Sequence, residues 1–274
     1  MYYETAEKLL EFIRKSPNCF SCSGYNEKNT WPGNGFSGAF RKRLWSLTPA
    51  EIIWITRNNS ALIAFSIPEK APYSFHIMAS HSDSPTFKIK ENPEITVEKA
   101  YVKLNVEKYG GMLMSPWFDR PLSVAGRVVV RENGELKEKL VDIDRNLLMI
   151  PSLAIHMNRE VNSGYAYNPQ KDLLPLYGTA GTKEPFGKLI AEAAGTREEN
   201  ILGHDLFLYN RVQGTVWGAE REFVSAGRLD DLQCAFASLE GFLSGGKKRA
   251  LLYIVFLTMR KWEAEPDRGQ LLHF

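Results

Sequence analysis

The stretch LDDLQCAFASLEGFLSGGKKRALLYIVF, residues 229–256, sets the fold class of this 274-residue chain. Its first half repeats apolar side chains at helical spacing up to Gly245-Gly246, which predicts a helix over residues 230–243. Its second half, residues 249–256, is an almost uninterrupted apolar run, which is typical of a strand buried on both faces of a sheet. A helix that leads into a buried strand indicates the α/β class.

The N-terminal segment supplies similar elements. Apolar spacing predicts an amphipathic helix over residues 4–15, and the short apolar runs 61–68 and 74–80 predict two strands. The middle of the chain is rich in short, β-branched segments between turn signals such as Gly110-Gly111, which predicts many short strands. We therefore expect an α/β domain with a mixed central sheet flanked by helices, interrupted by an inserted β-rich domain.

Composition excludes several classes of protein. The 34 Lys and Arg against 32 Asp and Glu leave a net charge of +2, which excludes nucleic acid or an anionic membrane as the main partner. No apolar run reaches the roughly 18 residues of a membrane helix, and the N-terminus has no apolar signal core. Three cysteines cannot form a disulfide framework, so the sequence predicts a reduced, cytoplasmic protein.

The first candidate site is the segment His81-Ser-Asp83-Ser-Pro85, which directly follows the predicted strand 74–80. Ligands of α/β sheets collect beyond the carboxyl ends of strands. A histidine with an aspartate two residues later fits a metal ligand and the carboxylate that orients it. A turn in which Asp83 and Ser84 cap backbone amides is the structural alternative.

The second candidate site is Gly227-Arg-Leu-Asp230-Asp231, at the start of the predicted helix. Acidic residues in a first helical turn are stabilised by the helix dipole by roughly 0.3–1 kcal/mol, which alone explains their presence. A metal-bridging carboxylate at Asp230 is the functional alternative.

Other patterns favour structural roles. Residues 165–200 are rich in proline and glycine, which predicts a long loop or lid. Cys19-Phe-Ser-Cys22 has the spacing of half a zinc ribbon but lacks a second pair. We interpret Cys234 as a packing residue of the helix, His76 as a core histidine and His204 as structural.

Together, these segments resemble the aspartyl-aminopeptidase-like family of dinuclear zinc metallopeptidases. Four blocks carry the resemblance in the order expected for the family: Ser80–Lys90 (SHSDSPTFKIK), Trp117–Arg120 (WFDR), Ile150–Arg159 (IPSLAIHMNR) and Ser225–Leu232 (SAGRLDDL). The match covers residues 1–19 and about 45–256. It divides the chain into a first part of a peptidase domain (1–90), an inserted dimerisation and lid domain (91–224) and a second part of the peptidase domain (225–274).

The resemblance implies roles for four residues. The equivalent of His81 binds one zinc ion, that of Asp230 bridges two ions, and that of Asp83 orients His81. The equivalent of His156 lies in the inserted domain and reaches into the neighbouring subunit's active site. The implied enzyme is an aminopeptidase that removes N-terminal, acidic residues from peptides with a zinc-activated water, and that forms a closed homo-oligomer through the insert.

The resemblance ends after Phe256. The family continues with Asp-Asn-Glu-Glu-Val-Gly-Ser-Gly-Thr, whose glutamate pair supplies the general base, whereas this chain continues with Leu257-Thr-Met-Arg-Lys-Trp. Codons for Leu257 to Glu265 can spell the family sequence when read from their third base. We therefore expect residues 257–274, and similarly about 21–43, to be out of frame, and the chain to be truncated. Two divergent loops are the alternative.

Two functions follow from these patterns. The first is a zinc aminopeptidase. The second is a non-catalytic fragment that acts at most as an assembly or binding module through its insert. His81 and Asp230 are two of the roughly five or six ligands that a dinuclear site needs, so the ligand count favours the second function for this polypeptide and the first for its intact relatives.

Overall fold

The structure, a computed structural model, describes residues 2–25, 36–38, 52–70, 74–245 and 250–258. The helices of these ranges are α1 (Tyr2–Lys15), α2 (Cys19–Tyr25), α3 (Phe186–Ala193) and α4 (Leu229–Ser244), with short 3-10 turns at Ser115–Trp117 and Glu198–Asn200. The strands are β1 (Phe36–Gly38), β2 (Ile52–Arg57), β3 (Ala61–Ser66), β4 (Ser74–His81), β5 (Thr86–Val97), β6 (Tyr101–Tyr109), β7 (Leu122–Glu132), β8 (Glu135–Asp142), β9 (Leu176–Thr179), β10 (Ile201–Asn210), β11 (Thr215–Trp217), β12 (Phe223–Ser225) and β13 (Ala250–Leu257).

The first sheet is the predicted mixed sheet, with strand order β1-β2-β3-β13-β4. Strand β13 pairs antiparallel with β3 and parallel with β4, so it lies inside the sheet, as its apolar composition predicts. Because β4 and β13 are parallel, Leu257 is the register partner of His81 at their shared carboxyl edge. This edge is where the α/β architecture places ligands.

Two helices cover one face of this sheet. The apolar faces of α1 and α4 meet at Phe12 and Phe236, whose ring centroids lie 5.7 Å apart. They share one buried core with alternate residues of β13, among them Ile254 and Phe256. The α/β fold class with helices on a mixed sheet is therefore confirmed.

The prediction that residues 249–256 are buried on both faces is wrong for one face. Leu252, Ile254 and Phe256 are buried beneath the helices, whereas the alternate residues of β13 are only partly buried. On the neighbouring strand β4, Phe75 and Ile77 are 63% and 65% exposed. An apolar run alone does not distinguish a strand covered on two faces from one covered on a single face.

The second sheet is antiparallel, with strand order β8-β7-β10-β5-β6-β9, and carries its own buried core. Helix α3 adds Phe186 and Ile190 to this core, and the amide of Phe186 donates to the carboxylate of Glu94. The expectation of one long loop or lid over residues 165–200 is therefore wrong, because strand β9 and helix α3 form there and pack against the sheet. Burial of the apolar residues of α3 stabilises a helix here despite the flanking prolines and glycines.

The two sheets meet beside His81. The short segment 82–85 joins the end of β4 in the first sheet to the start of β5 in the second. Arg127 of β7 also joins them, since its guanidinium donates to the Asn58 carbonyl, just after β2, at 2.9 Å. The Asp205 carboxylate of β10, in the same sheet as Arg127, accepts from this guanidinium at 3.0 Å. None of the helices in the described ranges is long and apolar enough to cross a membrane.

Candidate metal centre

The imidazole of His81 has a defined orientation at the end of β4. Its Nδ1 lies 2.9 Å from the main-chain oxygen of Asp83 and 3.3 Å from the carboxylate oxygen Oδ1 of the same residue. Both partners are acceptors, so the neutral ring carries its proton on Nδ1. The Nε2 lone pair is then free to bind a metal ion.

Two carboxylates face this Nε2 atom. It lies 3.4 Å from Oδ1 of Asp230 and 3.9 Å from Oδ2 of Asp231. One ligand atom from each of the three residues falls within 4.8 Å of the others. One imidazole nitrogen and two carboxylate oxygens form a donor set that fits zinc, so the residues present suit the ion that the resemblance implies.

Local backbone structure brings the two aspartates to His81. Arg228 has a left-handed backbone with φ of 62°, and Asp230 and Asp231 have non-helical angles, so regular helix begins only after them. The hydroxyl of Ser84 donates to the main-chain oxygen of Asp230 at 2.9 Å. The helix dipole alone therefore does not explain why two aspartates stand here, because they lie in the turn before the regular helix and contact the His81 segment.

Sequence reasoning selected Asp230 and passed over Asp231. Asp231 is the less exposed of the pair, with side-chain exposure of 18% against 73% for Asp230. Its carboxylate accepts the backbone N–H of His81 at 3.0 Å. The adjacent pair Asp230-Asp231 in the sequence could have indicated a second candidate ligand, but spacing does not show which of the two carboxylates is less exposed.

Asp83 is buried, with 6% exposure, and both of its carboxylate oxygens have neighbours. Oδ1 faces His81, and Oδ2 accepts a hydrogen bond from the hydroxyl of Tyr109 at 2.7 Å. Tyr109 comes from β6 of the second sheet and was not selected from the sequence. This arrangement is more specific than the turn-capping alternative for the His81–Pro85 segment.

A cleft of about 380 Å³ adjoins the cluster. Asp83 and Asp230 lie on its polar side, and apolar side chains from the second sheet and its loops, including Leu113, Trp117 and Phe207, form much of the rest. A cleft of this size beside candidate ligands is a suitable place for a small substrate.

His156 lies elsewhere, outside the three-residue cluster. It belongs to an exposed turn over residues 151–157, next to the exposed apolar side chains Ile155 and Met157. The turn is held at its base because the Asp119 carboxylate accepts the backbone N–H of Ser152 at 2.8 Å. The Ser152 hydroxyl and this N–H together lower the pKa of Asp119. The WFDR and IPSLAIHMNR blocks thus form one structural unit.

The cysteines are not part of the candidate centre. Burial raises the thiol pKa of Cys19 and of Cys22 to about 12, which disfavours the thiolate form that binds zinc. The interpretation of Cys234 as a packing residue is wrong, because Cys234 is exposed. The nearby Asp231 carboxylate raises the pKa of its thiol.

Two histidines outside the cluster differ from each other. The interpretation of His76 as a core residue is wrong, since its side chain is exposed on β4. His204 is half-buried on β10, and its Nδ1 atom is buried without a hydrogen-bond partner among the described residues. Burial lowers the pKa of His204.

The carboxyl end of β13 carries Leu257 and Thr258, where the resemblance places Asp-Asn, and the positions of the implied glutamate pair, 259 and 260, lie outside the described residues. The carbonyl of Leu257 accepts the backbone N–H of Ser82 at 3.0 Å, and the hydroxyl of Thr258 donates to the Ser60 carbonyl at 2.8 Å. The proposed out-of-frame tail from 259 onward, and most of the stretch 21–43, lie outside the described residues.

The chain is similar to known proteins in sequence and in fold. The family model described as "Aminopeptidase I zinc metalloprotease (M18)" matches residues 12–256. A probable M18 family aminopeptidase 2 from Clostridium acetobutylicum is 46% identical over 249 residues, which are 88% of this chain and 57% of that protein. The chain thus spans a little over half the length of this relative.

Solved structures show the same fold. The mApe1 structure from Chaetomium thermophilum aligns with a TM-score of 0.85 at 26% identity, covering 93% of this chain and 62% of that one. The mApe1 dodecamer of S. cerevesiae aligns with a TM-score of 0.77 at 23% identity, covering 94% of this chain and 61% of that one. The second similarity concerns the fold alone.

Proposed function

We propose, since the chain belongs to the M18 family of aminopeptidase I zinc metalloproteases, that His81 and Asp230 hold zinc in an aminopeptidase of this type. The orientation of His81 carries the proposal. Its Nδ1 faces two acceptors of Asp83, while its Nε2 faces the carboxylate of Asp230 at 3.4 Å. A histidine held only for packing has no need of this arrangement.

Each residue of the cluster has a distinct proposed role. His81 supplies a neutral nitrogen ligand, and Asp83 is a positioning residue that holds the proton on Nδ1. Asp230 is the more exposed carboxylate, which suits a ligand shared between two ions. Zinc, when bound, supplies Lewis acidity that polarises a peptide carbonyl and lowers the pKa of a water molecule.

The proposed substrate is a peptide whose N-terminal residue is removed, with acidic residues preferred. The cleft beside Asp83 and Asp230 has room for such a residue. The preference for acidic residues rests on the family resemblance, since the described walls of the cleft are largely apolar.

For the 274-residue polypeptide itself, we propose metal binding without turnover. The described cluster offers one imidazole and two carboxylates, fewer than the roughly five or six ligands of a dinuclear site. After β13 the sequence continues Thr258-Met259-Arg260-Lys261, which contains no carboxylate to act as general base. The second candidate function, a binding or assembly module, is favoured by this observation.

We further propose a homo-oligomer assembled through the inserted region 91–224. The exposed turn around His156 carries Leu153, Ile155 and Met157 with exposures of 59%, 53% and 67%. Three neighbouring apolar side chains on one turn are suited to an interface between subunits. A symmetric contact there would place His156 against a second subunit.

A peptidase assay tests the proposed function. Peptides with N-terminal Asp, Glu, Leu or Lys are incubated with the chain, with zinc and with a chelator. We expect no release by the 274-residue chain, and chelator-sensitive release of acidic residues by the polypeptide read in the alternative frame after Phe256. Chelator-sensitive turnover by the present chain would contradict the proposed lack of turnover. Zinc-independent turnover by either form would contradict the metal mechanism.

A further inference from the structure

Tyr109 lies outside the candidate ligands but is linked to them through Asp83. Its hydroxyl donates to Oδ2 of Asp83 at 2.7 Å, and Oδ1 of the same carboxylate lies 3.3 Å from Nδ1 of His81. We infer that Tyr109 is a positioning residue of the metal centre, which fixes the Asp83 carboxylate and, through it, the ring of His81. This inference rests on the proposed zinc-binding role of His81.

The position of Tyr109 is fixed by its own surroundings. Its ring packs edge-on against Phe207, with ring centroids 5.2 Å apart. The ring of Phe207 in turn packs beside that of Phe20, with centroids 6.4 Å apart. Gly110, the next residue, has a left-handed backbone with φ of 78°. A Cβ atom at this position would lie 3.6 Å from the Cα of Pro85, so the backbone of Gly110 packs beside the segment that carries Asp83. The phenol is therefore a rigid donor presented by the second sheet to a loop of the first.

The hydrogen bond from Tyr109 matters because the Asp83 carboxylate is buried. Asp83 is 6% exposed, so little solvent is available to orient or satisfy its carboxylate. A hydroxyl that donates to Oδ2 selects one rotamer of Asp83 and leaves Oδ1 directed at His81. Outer partners of this kind set the tautomer and orientation of a metal-binding histidine.

The Tyr109–Asp83 hydrogen bond also connects the two sheets. Tyr109 is the last residue of β6, whereas His81 ends β4, so the hydrogen bond joins the second sheet to the candidate metal centre of the first. A shift of the second sheet would thus reach His81 through a single buried carboxylate. A role limited to packing the two sheets together is the alternative, and it predicts no change at His81.

The test compares zinc affinity, measured by calorimetry, in the wild-type chain and in Tyr109→Phe, which keeps the ring and removes only the hydroxyl. We expect about three- to tenfold weaker zinc binding, less than the roughly 10–100-fold effect of a direct outer partner, because Tyr109 acts through Asp83. Tyr209→Phe is the matched control, since it removes a tyrosine–aspartate bond to Asp142 of 2.8 Å within the second sheet. We expect zinc affinity of the control to equal that of the wild type.

A double-mutant cycle and a spectroscopic measurement separate positioning from packing. If Tyr109 acts through Asp83, Tyr109→Phe has no further effect on zinc affinity in an Asp83→Asn background. Nitrogen NMR of the metal-free chain should also show a smaller Nδ1–H fraction for His81 in Tyr109→Phe than in wild type.

Two results would overturn the inference, and they differ in what else they contradict. Equal zinc affinity and equal His81 tautomer in wild type and Tyr109→Phe would refute the role of Tyr109 alone. A wild-type chain that binds no zinc would refute the proposed metal centre and the inference with it.

Discussion

The backbone N–H of His81 donates to the carboxylate of Asp231 at 3.0 Å, although 150 residues separate the two in sequence. This bond joins the end of β4 to the turn that precedes the regular part of α4. All strands of the second sheet lie between these two residues in the sequence. The candidate metal centre is therefore built where two segments that are distant in sequence meet.

The two adjacent aspartates should differ in what their removal changes. Asp230→Ala is expected to weaken zinc binding with a change in unfolding free energy within about 0.5 kcal/mol, because the Asp230 side chain is 73% exposed. Asp231→Ala is expected to cost about 1–3 kcal/mol of stability as well, since the N–H of His81 loses its acceptor. Chemical denaturation and zinc calorimetry on both variants measure this difference. Equal loss of stability in the two variants would contradict the assigned roles.

Stability should decrease as the pH falls below about 6.5, in part because of His204. Burial lowers the pKa of folded His204 beneath its ordinary value of about 6.5. The unfolded chain then binds a proton more readily, so the free energy of unfolding falls from pH 6.5 down to the folded pKa and levels off below it. His204→Leu should have a smaller stability difference between pH 7.5 and pH 5. The control is His76→Leu, since the side chain of His76 is exposed on β4. An unchanged pH dependence in His204→Leu would refute this assignment.

A native thiol titration should detect one accessible cysteine. Cys234 is exposed, whereas Cys19 and Cys22 are buried and have thiol pKa values raised to about 12. A disulfide reagent is expected to label one thiol in the folded chain and all three after unfolding. Cys234→Ser should abolish the native reaction. Native labelling that persists in Cys234→Ser would show that the buried pair is accessible.

Self-association should depend on the exposed turn around His156. Light scattering at micromolar concentration is expected to show an oligomer, and Ile155→Asp is expected to shift it towards monomer because a charge replaces apolar contact. Leu136→Asp on β8 provides the control, as Leu136 is also exposed, at 66%, within the inserted region. A wild-type chain that is strictly monomeric would contradict the proposed assembly.

Sequence periodicity located the elements that position the candidate site. The predicted helix 230–243 and strand 249–256 correspond to α4 (Leu229–Ser244) and β13 (Ala250–Leu257), and His81 does end a strand. These predictions succeeded because a helix with one apolar face and a strand inside a sheet have strong local patterns. The family resemblance then supplied the link between His81 and Asp230, which local patterns could not provide.

Other features depend on tertiary contacts that the sequence pattern does not contain. His76 is exposed on β4, which is an edge strand among the described residues, although the run 74–80 resembles that of an interior strand. Cys234 lies off the buried face of α4, which Leu232, Phe236 and Leu239 define, so helical phase could have identified its exposure. The inward turn of Asp231 and the reach of Tyr109 to Asp83 follow from backbone angles and sheet packing, which spacing does not reveal.

Zinc calorimetry of His81→Ala tests the central claim most directly, with His76→Ala as the control from the same strand. The metal-centre account predicts that the wild type and His76→Ala bind zinc equally well. It also predicts that His81→Ala binds zinc more than about 100-fold more weakly, because a direct ligand is lost rather than an outer partner. Zinc binding of equal affinity in His81→Ala and the wild type would contradict the claim that His81 is a zinc ligand.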